Sequence, residues 1–205
     1  MSKGIEKVPN VVLVHCHDLG RWLPVYGRFG VVAPNLSALA MQSLVFESTF
    51  STSPLCTPAR SSIFTGLSPH ENGLMGLTHQ GWTYLPGVVT LPEHLNGLGV
   101  RTALIGLQHE DFDARKLGFD EVHGFGFIPR ALAVAGSFER WIEQRDNSTF
   151  FASVGMWEAH RPWPSEDYES FDPSSVDVPG YLPDNLHTRQ DLADFYGAIK
   201  QLDEA

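Results

Sequence analysis

Cys56, Thr57, Pro58, Ala59 and Arg60 place a thiol, a helix-starting proline and a guanidinium within one short stretch. Pro58 suits the first turn of a helix and Gly66 suits its stop, so the spacing predicts a helix from the cysteine to about Gly66. A cysteine at a helix N-terminus feels the positive end of the dipole, which lowers the thiol pKa and favours a bound anion. Arg60, one turn further on, can aim its fixed fork of donors back at the same spot. Together they outline an anion site with a reactive atom inside it. The competing reading is a small buried core cysteine, common for this residue type.

Other polar residues stand where apolar runs end. His17 and Asp18 follow "VVLVHC", His109 lies in "GLQHE" and His160 in "WEAHRP". Either histidine could bind an oxyanion or move a proton. Taken alone, a His-Asp pair after a strand is more often structural than metal-binding. Arg21, in "HDLGR", is either a further cationic contact or a solvated loop charge. His70 is read as fixing the turn after the cysteine's helix, and Cys16 as a small core residue. His15, His79, His94, His123 and His187 carry no assigned role. Trp157, Trp163 and Tyr168 read equally as a platform for a sugar face or as loop packing.

Positioning these groups takes alternating strands and helices. "VPNVVLVHCHD", "LVFESTF", "VRTALIG" and "STFFASVG" read as strands. "APNLSALAMQS", "TLPEHLNGLG", "SFERWIEQR" and "LHTRQDLADFYGAIKQLDEA" read as helices, the second with a capping threonine and a glycine stop. The Pro-rich run from His160 to Asn185 reads as a long surface excursion. The alternation predicts an α/β fold with a largely parallel sheet, with ligands bound past the carboxyl ends of the strands. The last helix has no stop signal and no strand after it, so the fold is expected to be truncated.

With 205 residues, 42% hydrophobic and 19% charged, the chain has the composition of one globular domain or most of one. A net charge of −10 argues against nucleic acid or an anionic membrane as a general partner. No apolar run has the length of a membrane span, and "MSKGIEKVPN" lacks the features of a secretory signal, so a cytoplasmic location is expected. Two cysteines, Cys16 and Cys56, are too few for a disulfide framework.

The pentapeptide, with "SSIFTGLSPHENG" after it, resembles the signature of the sulfatases, a family of the alkaline-phosphatase-like superfamily. The resemblance covers nearly the whole chain: "PNVVLVHCHDLG" is similar to the family's first strand and metal loop, "GVRTALIGLQHE" to the next strand and substrate loop, and "FFASVGMWEAHRPW" to the strand ending in a substrate-contacting histidine. "SPHENGLMGL" and "VPGYLPDNLHTRQDLADFYGAI" are most similar to the sulfamidase-like branch. The resemblance implies a mostly parallel sheet flanked by helices, with residues 1–205 as the N-terminal part of a catalytic domain. It implies that a formylglycine-generating enzyme oxidises Cys56, recognising Pro58 and Arg60, and that the hydrate of the resulting formylglycine supplies the nucleophile.

It also implies a divalent metal held by Asp18, His17 and modified Cys56: calcium first, with manganese or zinc as alternatives. Relatives commonly have two aspartates where this chain has His17-Asp18. His109 and His160 match the family's sulfate-contacting or acid-base histidines. Leu107 stands where many relatives have lysine, and Arg21 is the candidate replacement. The implied substrate is a sulfated small molecule or sugar. The isolated chain is expected to be inactive, because the later strand that completes the family's metal site is not in it. The alternatives are a phosphonate or phosphodiester hydrolase of the same superfamily and a non-catalytic relic or binding module.

Overall fold

The computed structural model describes residues 9–124, 128–163 and 168–205. They fall into two compact units, one of Met1–His15, Phe50–Pro129 and Gly136–Gly155, the other of Cys16–Thr49, Arg130–Ala135 and Met156–Ala205.

The first unit contains the sheet. Its strands are β1 (Val11–His15), β2 (Arg101–Gly106), β3 (Glu121–His123) and β4 (Phe150–Gly155), all parallel, in the order β1-β4-β2-β3. β4 is buried throughout and β2 nearly so. That explains their near-continuous apolar runs, which carry no in-out alternation. At the edge, Val11 and Val14 of β1 are exposed. Phe64, Leu104, Leu117, Phe119 and Phe151 form the core, with Phe64 edge-on to Phe119. Each such side chain contributes about 1.5–3 kcal/mol on burial.

Helix α2 (Cys56–Thr65) begins at the cysteine and ends at Gly66, whose φ of 68° is the left-handed stop that glycine adopts without strain. The turn beyond it, into a short α3 (Pro69–Asn72), is latched by Asn72 and not by His70, which is exposed. Fully buried, Asn72 donates from Nδ2 to Ser61 Oγ at 2.9 Å and accepts the Leu74 N–H at 2.9 Å. Thr90 and Glu93 cap α4 (Leu91–Gly97) reciprocally, as expected of a capping threonine.

The second unit is organised on α6 (Leu186–Glu204), whose Leu192, Phe195, Tyr196 and Ile199 are buried. The run between His160 and Asn185 is less of a surface excursion than its composition predicts. Val176 is buried against α6, and the Phe171 N–H donates to the Ala193 carbonyl. Helix α1 (Pro34–Ala40) has no side-chain cap of its own. Buried Asp203 of α6 fills that role from a distance, accepting from the Asn35 N–H at 3.1 Å and the Leu36 N–H at 2.7 Å.

Residues 44–50, "LVFESTF", form no strand. Leu44, Phe46 and Phe50 are exposed. Apolar alternation becomes a strand only where a neighbouring edge accepts its hydrogen bonds, and no described strand pairs there. Helix α5 (Ala131–Gln144) starts several residues before "SFERWIEQR". Among the described residues, no helix is long and apolar enough to cross a membrane.

Candidate active site

In the first unit, the loop after β2 is tied to the start of α2. Thr57, buried next to Cys56, donates its hydroxyl to the His109 carbonyl at 2.6 Å, and Thr78 reaches the same oxygen at 3.4 Å. The half-buried cysteine and half-buried His109 therefore sit on two segments held by one short bond. Leu107 is buried, and its N–H donates to the Gly155 carbonyl at 2.8 Å, extending the sheet. It offers no cation.

Arg60 is 6% exposed, so its charge is held inside the unit. Its Nη1 lies 2.5 Å from His15 Nδ1, at the carboxyl end of β1. Guanidinium nitrogens only donate, so Nδ1 accepts and the proton of the neutral ring sits on Nε2. That nitrogen lies 2.9 Å from Ser153 Oγ on β4. Glu110 is also buried, and its carboxylate accepts the His109 N–H at 2.5 Å. Burial pushes the Glu110 carboxyl pKa up, and the charge of Arg60 pulls it part of the way back. Glu110 and Tyr84 line the same small apolar recess with Phe64, Leu117 and Phe119. Burial, then the charge of Glu110, raises the pKa of the Tyr84 phenol.

In the second unit, main-chain bonds join the segments after β1 and β4: His17 N–H to the Glu158 carbonyl at 3.1 Å, and Ala159 N–H to the His17 carbonyl at 2.9 Å. Buried Glu158 steadies this arrangement, accepting the Ala131 N–H at 2.8 Å with Arg130 3.6 Å away. The rings of His17 and His160 are brought to a centroid distance of 4.9 Å. Asp18 lies 3.9 Å from His17 Nδ1 and 3.7 Å from His160 Nε2. Its φ of 51° is left-handed, a conformation that aspartate tolerates better than most residues.

His160 Nδ1 donates to the Arg161 carbonyl at 2.5 Å, which turns the other nitrogen, Nε2, toward the Asp18 carboxylate. A ring lone pair and a carboxylate face each other only with a proton or a cation between them. Asp18 and His160 thus have a proton or a cation between them, with the His17 ring alongside. A carboxylate with two imidazoles suits manganese or zinc better than calcium, which prefers oxygen.

The Arg21 guanidinium lies over the Tyr26 ring and is bonded to the Glu47 carbonyl. Trp157 is buried against His17 and His160, and Trp163 packs on Phe195, so both rings are used in packing. Sequence reasoning gave His15 and Glu110 no role. A polar residue closing an otherwise apolar strand was the available signal for His15.

The first unit thus carries a parallel sheet, a cysteine at a helix start and a histidine in the loop after β2. The profile of the family described as Sulfatase matches residues 9–205, and the chain belongs to that family. It is similar to the N-sulphoglucosamine sulphohydrolase of Homo sapiens, 28% identical over 233 residues, covering 95% of this chain and 45% of that protein. The chain therefore spans less than half the length of that relative.

Among solved structures, one from work on glycosaminoglycan metabolism by Bacteroides thetaiotaomicron superposes with a TM-score of 0.79 at 18% identity, covering 96% of this chain and 56% of that one. The phosphonate monoester hydrolase of Agrobacterium radiobacter superposes at 0.75 with 19% identity, covering 96% and 57%. At such identities the likeness is one of fold.

Proposed function

We propose that residues 1–205 are the N-terminal part of a sulfatase catalytic domain that hydrolyses sulfate esters or sulfamates of a sugar. The observation that supports this most is the tie between Thr57 and His109, which holds the start of α2 and the loop after β2 together. A formylglycine made from Cys56 by a formylglycine-generating enzyme would supply the nucleophile. Arg60, buried and rigidly bonded, orients that group and offsets negative charge on the substrate. His109 contacts the sulfate and moves a proton to or from the leaving group.

A divalent ion, manganese or zinc ahead of calcium, would be held by Asp18 and His17 with His160 beside them, and when bound would supply a Lewis acid that lowers a hydroxyl's pKa. Sugar as the substrate rests on the human relative, whose name specifies a sulphoglucosamine. The 205-residue chain alone, spanning 45% of that relative, is proposed to be inactive.

The test is to co-express the full-length protein with a formylglycine-generating enzyme, weigh the Cys56 peptide, and compare aryl sulfate with aryl phosphonate. Conversion replaces sulfur and two hydrogens with one oxygen, and the peptide mass reports it. Modified Cys56 with preferential sulfate turnover is expected. Faster phosphonate cleavage would move the assignment to the phosphonate hydrolases. An unmodified Cys56 with no turnover would leave a binding module.

A further inference from the structure

Arg60 is the only cation that the signature contributes, and a long side chain serves as an anchor only if its fork is held. The fold holds it through His15. Three neighbours seat the imidazole: Ser153 Oγ 2.9 Å from Nε2, the edge-on ring of Phe64 with centroids 6.3 Å apart, and Gly155, where a Cβ would fall 2.5 Å from the ring's Cε1. The strand register makes this possible. His15 lies opposite Gly155, and Leu13 opposite Ser153, so the residue beside the ring has no side chain and the hydroxyl comes from the next residue on the same face. So seated, the ring can present only an acceptor to Arg60, at 2.5 Å.

We infer that His15 is a positioning residue for Arg60: a ring locked by Ser153, Phe64 and Gly155 aims the guanidinium of the signature helix. This rests on the sulfatase reading for its consequence in catalysis, though the contact itself does not. Histidine is used here as a rigid acceptor, so the role belongs to Nδ1 and not to the ring's charge.

The test has a kinetic arm and a stability arm. In the full-length protein with modified Cys56, His15→Phe keeps a ring but removes the acceptor, and it should lower kcat/KM for aryl sulfate about tenfold. His15→Asn, which keeps an acceptor near the place of Nδ1, should recover most of the loss, and a merely space-filling role would not predict that rescue. Equal losses for Phe and Asn would overturn the inference. The stability arm is a double-mutant cycle of His15→Phe, Arg60→Met and both together, read from denaturant midpoints, which do not depend on modification of Cys56. Non-additivity between His15 and Arg60 upholds the positioning contact, and additivity rejects it. If the protein turns over no sulfate ester, the sulfatase reading fails and the stability arm still decides the contact.

Discussion

Gly155 is the residue on which the geometry around Arg60 depends most sharply, and Gly155→Ala tests it with one methyl group. A Cβ there would lie 2.4 Å from the Leu107 carbonyl oxygen, 2.5 Å from His15 Cε1 and 2.8 Å from Leu107 Cβ. The closest contact is short of a tolerable separation by about 0.6 Å, and overpacking of this kind costs about 1–3 kcal/mol. Relief by moving Leu107 is opposed by the 2.8 Å bond from its N–H to the Gly155 carbonyl. Relief by moving the imidazole breaks the contacts to Ser153 and Arg60.

The assay is urea unfolding of native and variant chains. With a slope of about 2 kcal/mol/M, a 2 kcal/mol loss lowers the midpoint by about 1 M without changing the slope. Gly97→Ala in α4 is the control. A Cβ there meets nothing within 4 Å, and the change should be neutral or stabilise by up to about 1 kcal/mol. A Gly155→Ala midpoint that matches the native one within about 0.25 M, equivalent to about 0.5 kcal/mol, would refute the packing argument, and with it the claim that β4 must end without a side chain for His15 to be seated.

Glu110→Gln should flatten the pH dependence of stability. The raised folded pKa of Glu110 means that the folded state holds its proton longer. This contribution is therefore full below the ordinary glutamate value of about 4.3 and is lost as pH rises toward the elevated one. Stability measured from pH 4 upward should fall less in the variant, and an identical slope would count against a buried, raised carboxyl. Asn72→Ala strands the polar groups of Ser61 and Leu74 in a buried turn and should cost about 2–3 kcal/mol by denaturant titration. Manganese or zinc should raise the melting temperature by several degrees, with a smaller shift from calcium, and Asp18→Asn should abolish it. A calcium shift exceeding both would reject the imidazole-rich donor set.

Local chemistry made much of this protein legible from its sequence alone. Runs rich in Val, Leu, Ile and Phe form β2 and β4 because buried parallel strands need no polar alternation, and the similar run of β1 forms the exposed edge strand. Cys56 opens α2 and Gly66 closes it because proline and glycine fix backbone torsions within their own residues. Thr90 and Glu93 cap α4 by reaching across a single turn.

The tertiary structure decided what depends on partners far along the chain. His15 finds Ser153 across 138 positions and Arg60 across 45, contacts that exist only because β1 pairs with β4 in one register. Asp203 caps a helix 168 residues away. "LVFESTF", by contrast, has the composition of a strand and no edge to pair with. Propensity acts through neighbours in sequence. Hydrogen bonds and ring contacts are settled by neighbours in space, and these determine where the Arg60 charge points.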